Sequence, residues 1–394
     1  TVDIVILIAG RLTQHLFFSA EFLSLPEQIK LRYMKVKIKF TVLFSLLAIV
    51  FSDHSQACTG IALKAEDGSR VVARTVEWAA SPMNCGYAVV PRGYRQQSLT
   101  PDGMDGMCYK ARFGYVGIYT EYDNFVVEGV NEAGLSAGLF FFPGYGEYPE
   151  YKADEKASCI SDMQLVTWIL STFDSIDALK EGICSVKVVS LDPRVGTVHW
   201  RISEAGGRVV VLEYKDGKPC FYENPLGVLT NSPGFEWHIT NLANYVNLHP
   251  GAAESFSMAE GLTVKPLGGG SAMLGLPGDF TPPSRFIRAA FFSASAPVWP
   301  DAFSTVLQAF HILNNFDIPI GAQFSDGNVP EGLPAATQFT SATDLANLKF
   351  YYRTCWNSNL RCIDLKTIDF RKVKYRSVPL DEPRVQEVEF LKIK

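Results

Sequence analysis

A chain of 394 residues, 47% apolar and 20% charged, has the balance of a folded protein with a substantial core, not that of a disordered one. Its net charge of −5 supplies no global basic field for nucleic acid. The chain has no GxxxxGKS/T loop, GxGxxG turn or HExxH helix, which excludes the usual phosphate, dinucleotide and zinc-protease readings.

Residues 1–33 precede Met34 and are read as an over-extended leader, foreign to the mature protein. From Met34 the pattern changes. Lys35, Lys37 and Lys39 lead into the apolar run Phe40–Phe51, interrupted only by Thr41 and Ser45, and then into Ser55-Gln56-Ala57-Cys58. A basic start, a short apolar stretch and small residues before a cut are the three parts of a secretory signal. The run falls well short of the roughly 20 residues a membrane span needs. Residues 34–57 are therefore expected to be a signal peptide, and the protein to be exported to the periplasm or beyond the cell. Residues 58–394 are then a single domain, because no linker, repeat or low-complexity tract divides them.

Strands are expected at Cys58–Lys64 and Val71–Thr75, joined by the turn Glu66-Asp67-Gly68-Ser69. Gly114–Tyr119, Phe125–Val130 and Leu135–Phe142 follow, the last two joined by Asn131-Glu132-Ala133-Gly134. Met163–Ser171 and Ser175–Gly182 read as helices, and Val195–Ser203 with Arg208–Tyr214 as a hairpin. Phe235–Tyr245, Ser284–Ser293 and Asp301–Asn314 read as helices, and Leu348–Trp356 with Leu360–Asp364 as a late hairpin. Strands and helices come in separate runs, which indicates an α+β fold with antiparallel sheet.

Eight cysteines are present, widely and irregularly spaced and without CxxC, so zinc is not expected. Cys355 and Cys362 flank Asn357-Ser358-Asn359 and could pair across the hairpin. The rest suit small buried apolar sites. Cys58 is different. As a new N-terminus it would carry an α-amine with a pKa of about 7.7–8.0, close to that of a neutral-pH base. Thiol and amine then form a nucleophile–base pair within one residue. His199, His238, His249 and His311 lie in unrelated contexts and read as structural or surface groups. A rival reading is a lipid-anchored binding protein, since a cysteine after a signal is also where lipoproteins are acylated. The sequence lacks the Leu usual three residues before such a cysteine, and acylation would consume both amine and thiol.

Six separated motifs carry a resemblance. They are Cys58-Thr59-Gly60; Arg74-Thr75-Val76-Glu77-Trp78; Asn131-Glu132-Ala133-Gly134-Leu135, ending in Phe142-Pro143-Gly144; Leu229-Thr230-Asn231-Ser232-Pro233 with Trp237 and Asn241; Leu276-Pro277-Gly278-Asp279 with Ser284-Arg285-Phe286; and Thr337-Gln338-Phe339 before Tyr351-Tyr352-Arg353-Thr354. In this order they resemble the choloylglycine hydrolase and penicillin V acylase family of N-terminal nucleophile hydrolases, over nearly all of 58–394. The resemblance implies a four-layer αββα sandwich and hydrolysis of a small-molecule amide without metal or cofactor. It also implies a homotetramer with no stable membrane anchor. Cys58 matches the nucleophile, Arg74 a cation beside the thiol, Asn231 an oxyanion donor and Arg285 a second active-site arginine. Glu77 stands where the family usually has Asp, which holds the N-terminal amine. Phe141 stands where Asn or Tyr is common, so only its backbone N–H can donate. Phe140, Phe141 and Met83 suggest an apolar acyl pocket. Glycine- or taurine-conjugated bile acids are the first expected substrates, penicillin V the second, and N-acyl homoserine lactones the third.

Overall fold

The computed structural model describes residues 57–192, 196–324 and 329–393. The expected leader, and the signal peptide up to residue 56, lie outside the described residues.

β1 (Ala57–Lys64) and β2 (Arg70–Glu77) form the first hairpin. In its turn Gly68 adopts φ 88° and the Asp67 carboxylate accepts the Ser69 N–H at 2.8 Å. β3 (Cys85–Val90), β4 (Tyr115–Thr120), β5 (Val126–Asn131) and β6 (Ser136–Phe141) follow. Helices α1 (Leu165–Thr172) and α2 (Ile176–Gly182) come next, then β7 (Val198–Ser203), β8 (Val209–Lys215) and β9 (Lys218–Glu223). The last part holds α3 (Phe235–Asn241), α4 (Pro282–Ser295) and α5 (Ala302–Leu313). β10 (Thr337–Asp344), β11 (Lys349–Thr354), β12 (Arg361–Asp364) and β13 (Arg376–Pro379) complete it.

The strands make two antiparallel sheets. One runs β1-β2-β10-β11-β12 and the other β9-β8-β7-β6-β5-β4-β3-β13. α1, apolar and almost wholly buried, lies on β5 and β6. α4 and α5 cover the other sheet through β1, β2 and β10. β1 faces β6 across the gap between the sheets. The result is the expected four-layer αββα sandwich. The Asn131 motif ties one helix layer to its sheet. The Asn131 carboxamide accepts from Ala133 and Leu135 within the turn and donates to the α1-end carbonyls of Leu170 and Phe173, at 2.9 and 2.7 Å.

Most expected elements are present within a few residues. β10 is the main element that sequence pattern does not reveal beyond its Thr337-Gln338-Phe339 start. Alternation presupposes one wet face, but all eight residues of β10 are buried, Thr340, Ser341, Thr343 and Asp344 among them. β3, β9 and β13 were likewise not expected. The Cys355–Cys362 pairing is not formed, and both thiols are free. In the β11–β12 register Cys362 lies opposite Tyr351, while Cys355 has already left β11 for the turn.

The space between the sheets is not purely apolar. Glu128 on β5, Gly138 on β6 and Arg201 on β7 are neighbours across the strands. Gly138 has no side chain, so Glu128 and Arg201 meet over it at 2.5 Å; a Cβ there would lie 2.2 Å from Glu128 Oε2. Arg74, reaching over from β2, approaches the same carboxylate at 3.6 Å and donates to Leu139 O and Val127 O. Phe140 is wedged beneath Arg74, whose guanidinium sits 4.0 Å from the ring centroid. Two buried cations thus share one buried anion. Replacing Glu128 with Leu strands both arginines, and an uncompensated buried charge of this kind costs about 3–5 kcal/mol. Urea unfolding of Glu128→Leu should show a loss of that size. A loss below about 1 kcal/mol, the range of surface pairs, would mean the seam does not carry the load assigned to it.

Candidate active site

β1 is an edge strand of its sheet, yet its free side is not bare. Gly60 and Leu229 exchange both backbone hydrogen bonds, at 2.7 and 3.1 Å. Gly60 is required here, because a Cβ would lie 2.8 Å from the Phe140 ring. This bridge lays the Leu229–Asn231 segment alongside Cys58. The Asn231 Oδ1 accepts the Cys58 N–H at 2.9 Å, and Asn231 Nδ2 donates to Phe141 O at 2.7 Å. The main-chain N–H of Phe141 faces the Cys58 thiol.

Arg285 comes from the first turn of α4. Pro282 starts that helix, and the Asp279 carboxylate accepts from Thr281 N–H and from the Ser284 hydroxyl, which fixes where the turn begins. From there Arg285 donates to Cys58 O at 2.5 Å, Thr59 Oγ1 at 3.0 Å, Asn231 Oδ1 at 2.7 Å and Phe280 O at 2.8 Å. Burial lowers its pKa to about 10, with Glu77 and Cys58 opposing, so it is a cation at neutral pH.

Glu77 ends β2 opposite Ala57, the residue before Cys58. The β2–β10 register shifts between Thr337 and Phe339, which leaves Gln338 as a bulge. Thr337 then turns toward Glu77, 3.5 Å from Oε1, but its hydroxyl also reaches Phe316 O at 3.1 Å. Glu77 Oε2 makes no hydrogen bond among the described residues. Burial raises the Glu77 pKa to about 7, against the attraction of Arg285.

The Cys58 thiol is also pushed up by burial. Arg74 and Arg285 pull it down and Glu77 pushes it further up, but burial is the largest influence. Arg74 thus pulls the thiol toward thiolate while burial opposes it. In this chain the nitrogen of Cys58 is a peptide nitrogen, and the thiol keeps its proton.

Cys58, Asn231, Arg285 and the Phe141 backbone are in mutual hydrogen-bond contact, with Arg74 and Glu77 in electrostatic reach. Of the residues expected to line the pocket, Phe140 shares a buried cluster with Cys58, and Met83 lies on a separate cleft. Phe140 is fully buried between the sheets under Arg74 and Arg201, because strand alternation turns it inward while Phe141 turns out. Met83 lies in the loop after β2, bonded to Gln338 and Arg384, on a cleft of about 220 Å³ with Tyr119, Thr354 and Trp356. Sequence reasoning did not single out Thr59, Thr337 or Gln338 as site groups, though each lies within a recognised motif. His199 and His238, expected to be structural or surface groups, are both fully buried beside Thr230 and Asn231.

The model of the choloylglycine hydrolase family of linear amide C–N hydrolases matches residues 58–376. The chain belongs to this family. It is accordingly an enzyme that hydrolyses carbon–nitrogen bonds, other than peptide bonds, in linear amides. A bile salt hydrolase/transferase of Clostridium perfringens is 32% identical over 326 residues, 80% of this chain and 95% of the relative. A penicillin V acylase of Pectobacterium atrosepticum is 25% identical over 264 residues, 62% of each chain. The crystal structure of a variant of the conjugated bile acid hydrolase from Clostridium perfringens superposes with a TM-score of 0.73 at 27% identity. It covers 85% of this chain and 100% of that one.

Glu77 makes the stability of the chain that retains Ala57 depend on pH. Its pKa rises from an ordinary 4.5 to about 7 on folding. Below 4.5 both states are protonated; between there and about 7 only the unfolded chain loses the proton, so stability falls as pH rises through that window. Urea midpoints at about pH 5 and about pH 7.5 should differ more for the unaltered chain than for Glu77→Gln. Equal pH dependence in the two would assign the slope to another group.

Proposed function

We propose that this amide hydrolase is exported, loses residues up to Ala57, and uses Cys58 as an N-terminal nucleophile to deconjugate glycine- and taurine-linked bile acids. The observation that carries the first part is the acceptor set around the Cys58 nitrogen. Asn231 Oδ1 lies 2.9 Å from it, and Glu77, with Oε2 unpartnered, ends the strand opposite. A peptide N–H offers one proton to these two acceptors, whereas an ammonium offers three. A freed amine would lower the Glu77 pKa and stabilise its carboxylate, which is the state the family's usual Asp would hold.

In the reaction the amine of Cys58 takes the thiol proton, directly or through one water. The thiolate attacks the amide carbon and the carbonyl oxygen becomes an oxyanion. The second hydrogen of Asn231 Nδ2 and the N–H of Phe141 are its donors. The protonated amine then gives its proton to the leaving nitrogen, and the C–N bond breaks to leave a thioester on Cys58. Water hydrolyses the thioester by the same route. Arg285 fixes the Cys58 carbonyl and Asn231 together, and Arg74 offsets part of the cost of a buried thiolate.

The preference for bile acid amides rests on the higher identity and coverage of the bile salt hydrolase relatives. Penicillin V is the second candidate, supported by the acylase relative. Self-association, as the homotetramer implied by the family, is supported by an apolar arm. Its hairpin of Phe256–Ala259 and Leu262–Val264 exposes Phe256, Met258 and Leu262, and Leu267 and Leu274 follow, also exposed.

Native mass spectrometry of the secreted protein should give an assembly of four chains, each beginning at an unmodified Cys58. A lipid mass on Cys58, or a retained Ala57 in fully active protein, would sink the N-terminal mechanism. A chain in which Met-Ala still precedes Cys58 should be inactive and should resist iodoacetamide, since its thiol stays protonated.

Kinetics on glycocholate and penicillin V separate the donor from the pocket. Asn231→Ala should lower kcat on both substrates by about 10²–10³ with little change in KM. Phe141→Ala keeps its N–H, so KM should rise more than kcat falls, and unequally between the substrates. An equal kcat loss on both with unchanged KM would remove Phe141 from the acyl pocket.

A further inference from the structure

Asn231 sits between two buried histidines that the chemistry above does not use. Three groups converge on its side chain: Cys58 N and Arg285 Nη2 on Oδ1, and Phe141 O on Nδ2. Such a side chain can serve all three only if its backbone is held still. The backbone anchors are imidazoles. His199, on β7, lies 3.1 Å through Nε2 from Thr230 O, and its Nδ1 is 3.3 Å from Glu213 Oε1. Its ring stacks on Phe142 with centroids 4.3 Å apart. His238, on α3, lies 2.9 Å through Nε2 from Asn231 O.

We infer that His238 is a positioning residue for catalysis, holding the Asn231 carbonyl so that the Asn231 carboxamide keeps both its grip on Cys58 N and its donor toward the reacting carbonyl, with His199 as a second clamp on Thr230. The inference rests on the role proposed for Asn231 above.

The chemistry of His238 suits this task. A carbonyl oxygen only accepts, so Nε2 must carry the proton. Burial holds its pKa down to about 4, so the ring is neutral and has that single N–H. Nδ1 is bare and has no hydrogen-bond partner among the described residues. The ring is fixed in its plane by stacking on Phe286, 4.6 Å away and within 10° of parallel. Phe286 is the neighbour of Arg285 in α4. One packed unit therefore sets both groups that hold Asn231: Arg285 on its side chain and His238 on its backbone.

The test compares two replacements in the processed enzyme. His238→Phe keeps an aromatic ring for the Phe286 stack but has no donor. His238→Gln loses the ring but restores an N–H of similar reach. Turnover is measured on glycocholate and on penicillin V, per active site as titrated by iodoacetamide at Cys58. His238→Phe should lose about 10- to 100-fold in kcat with KM within about twofold, since the loss is one of alignment. His238→Gln should recover most of that loss. If His238→Phe gives no folded protein, His238→Asn takes its place, because its shorter amide falls short of the carbonyl, and the same kcat loss is expected. Unchanged kcat per titrated site in the donor-lacking variant, with only the yield of folded enzyme or its melting temperature reduced, overturns the inference. So does failure of Gln to rescue. Asn231→Ala is run beside them. If it turns over as fast as the unaltered enzyme, the role of Asn231 falls and the inference with it; if it is crippled while His238→Phe is not, only the inference falls.

Discussion

Arg74 is the constraint on which the rest of the molecule turns. It belongs to the five-stranded sheet, yet its guanidinium is satisfied by carbonyls and a carboxylate of the eight-stranded one. A sandwich of two sheets held by apolar contacts alone can slide in register by small amounts. Directional bonds from a planar cation to Val127 and Leu139, with an ion pair to Glu128, remove that freedom. Because Leu139 and Phe141 lie on the same strand as Phe140, the bonds that lock the sheets also fix the Phe141 backbone against β1. The chemistry happens where the locked sheets meet, and its precision is inherited from the seam.

The site itself is built from leftovers of hydrogen bonding. Most polar groups around Cys58 are matched: Arg285 spends its donors on four oxygens, and the Asn231 Oδ1 takes two donors. Among the described residues, one carboxylate oxygen of Glu77 is without a hydrogen-bond partner, and Asn231 Nδ2 spends one of its two hydrogens on Phe141 O. An unpartnered buried acceptor costs free energy unless something fills it. The two groups are of opposite kind, one suited to a cationic nitrogen and one to an anionic oxygen.

Much of this was legible in the sequence, for identifiable reasons. The hairpins at Gly68 and Gly134 announce themselves because their turns need residues that tolerate positive φ. α1 shows as an unbroken apolar run, and α5 begins at Asp301, which caps it by accepting the Ser304 N–H. Cys58, Asn231 and Arg285 stand in short motifs whose spacing survives the fold. β10 was hidden because it is polar and buried at once, a combination no alternation rule anticipates. Phe140 and Phe141 were indistinguishable in sequence, since a run of three aromatics does not say which one faces inward; only the strand register does. His238 follows Trp237 inside a recognised motif and reaches the Asn231 carbonyl of that same motif, but its importance also depends on the stacked Phe286 ring of another helix, which is not encoded nearby.

Ala57 lies within β1, pairs with Glu77 and is shut away among Ala79, Ile318 and Ala336. A peptidase needs an accessible, extended substrate that it can grip from both sides. The Ala57–Cys58 bond in the finished fold offers neither access nor a free edge. Timing is therefore part of the design. An outside protease that releases Cys58 must act before β1 is laid against β2.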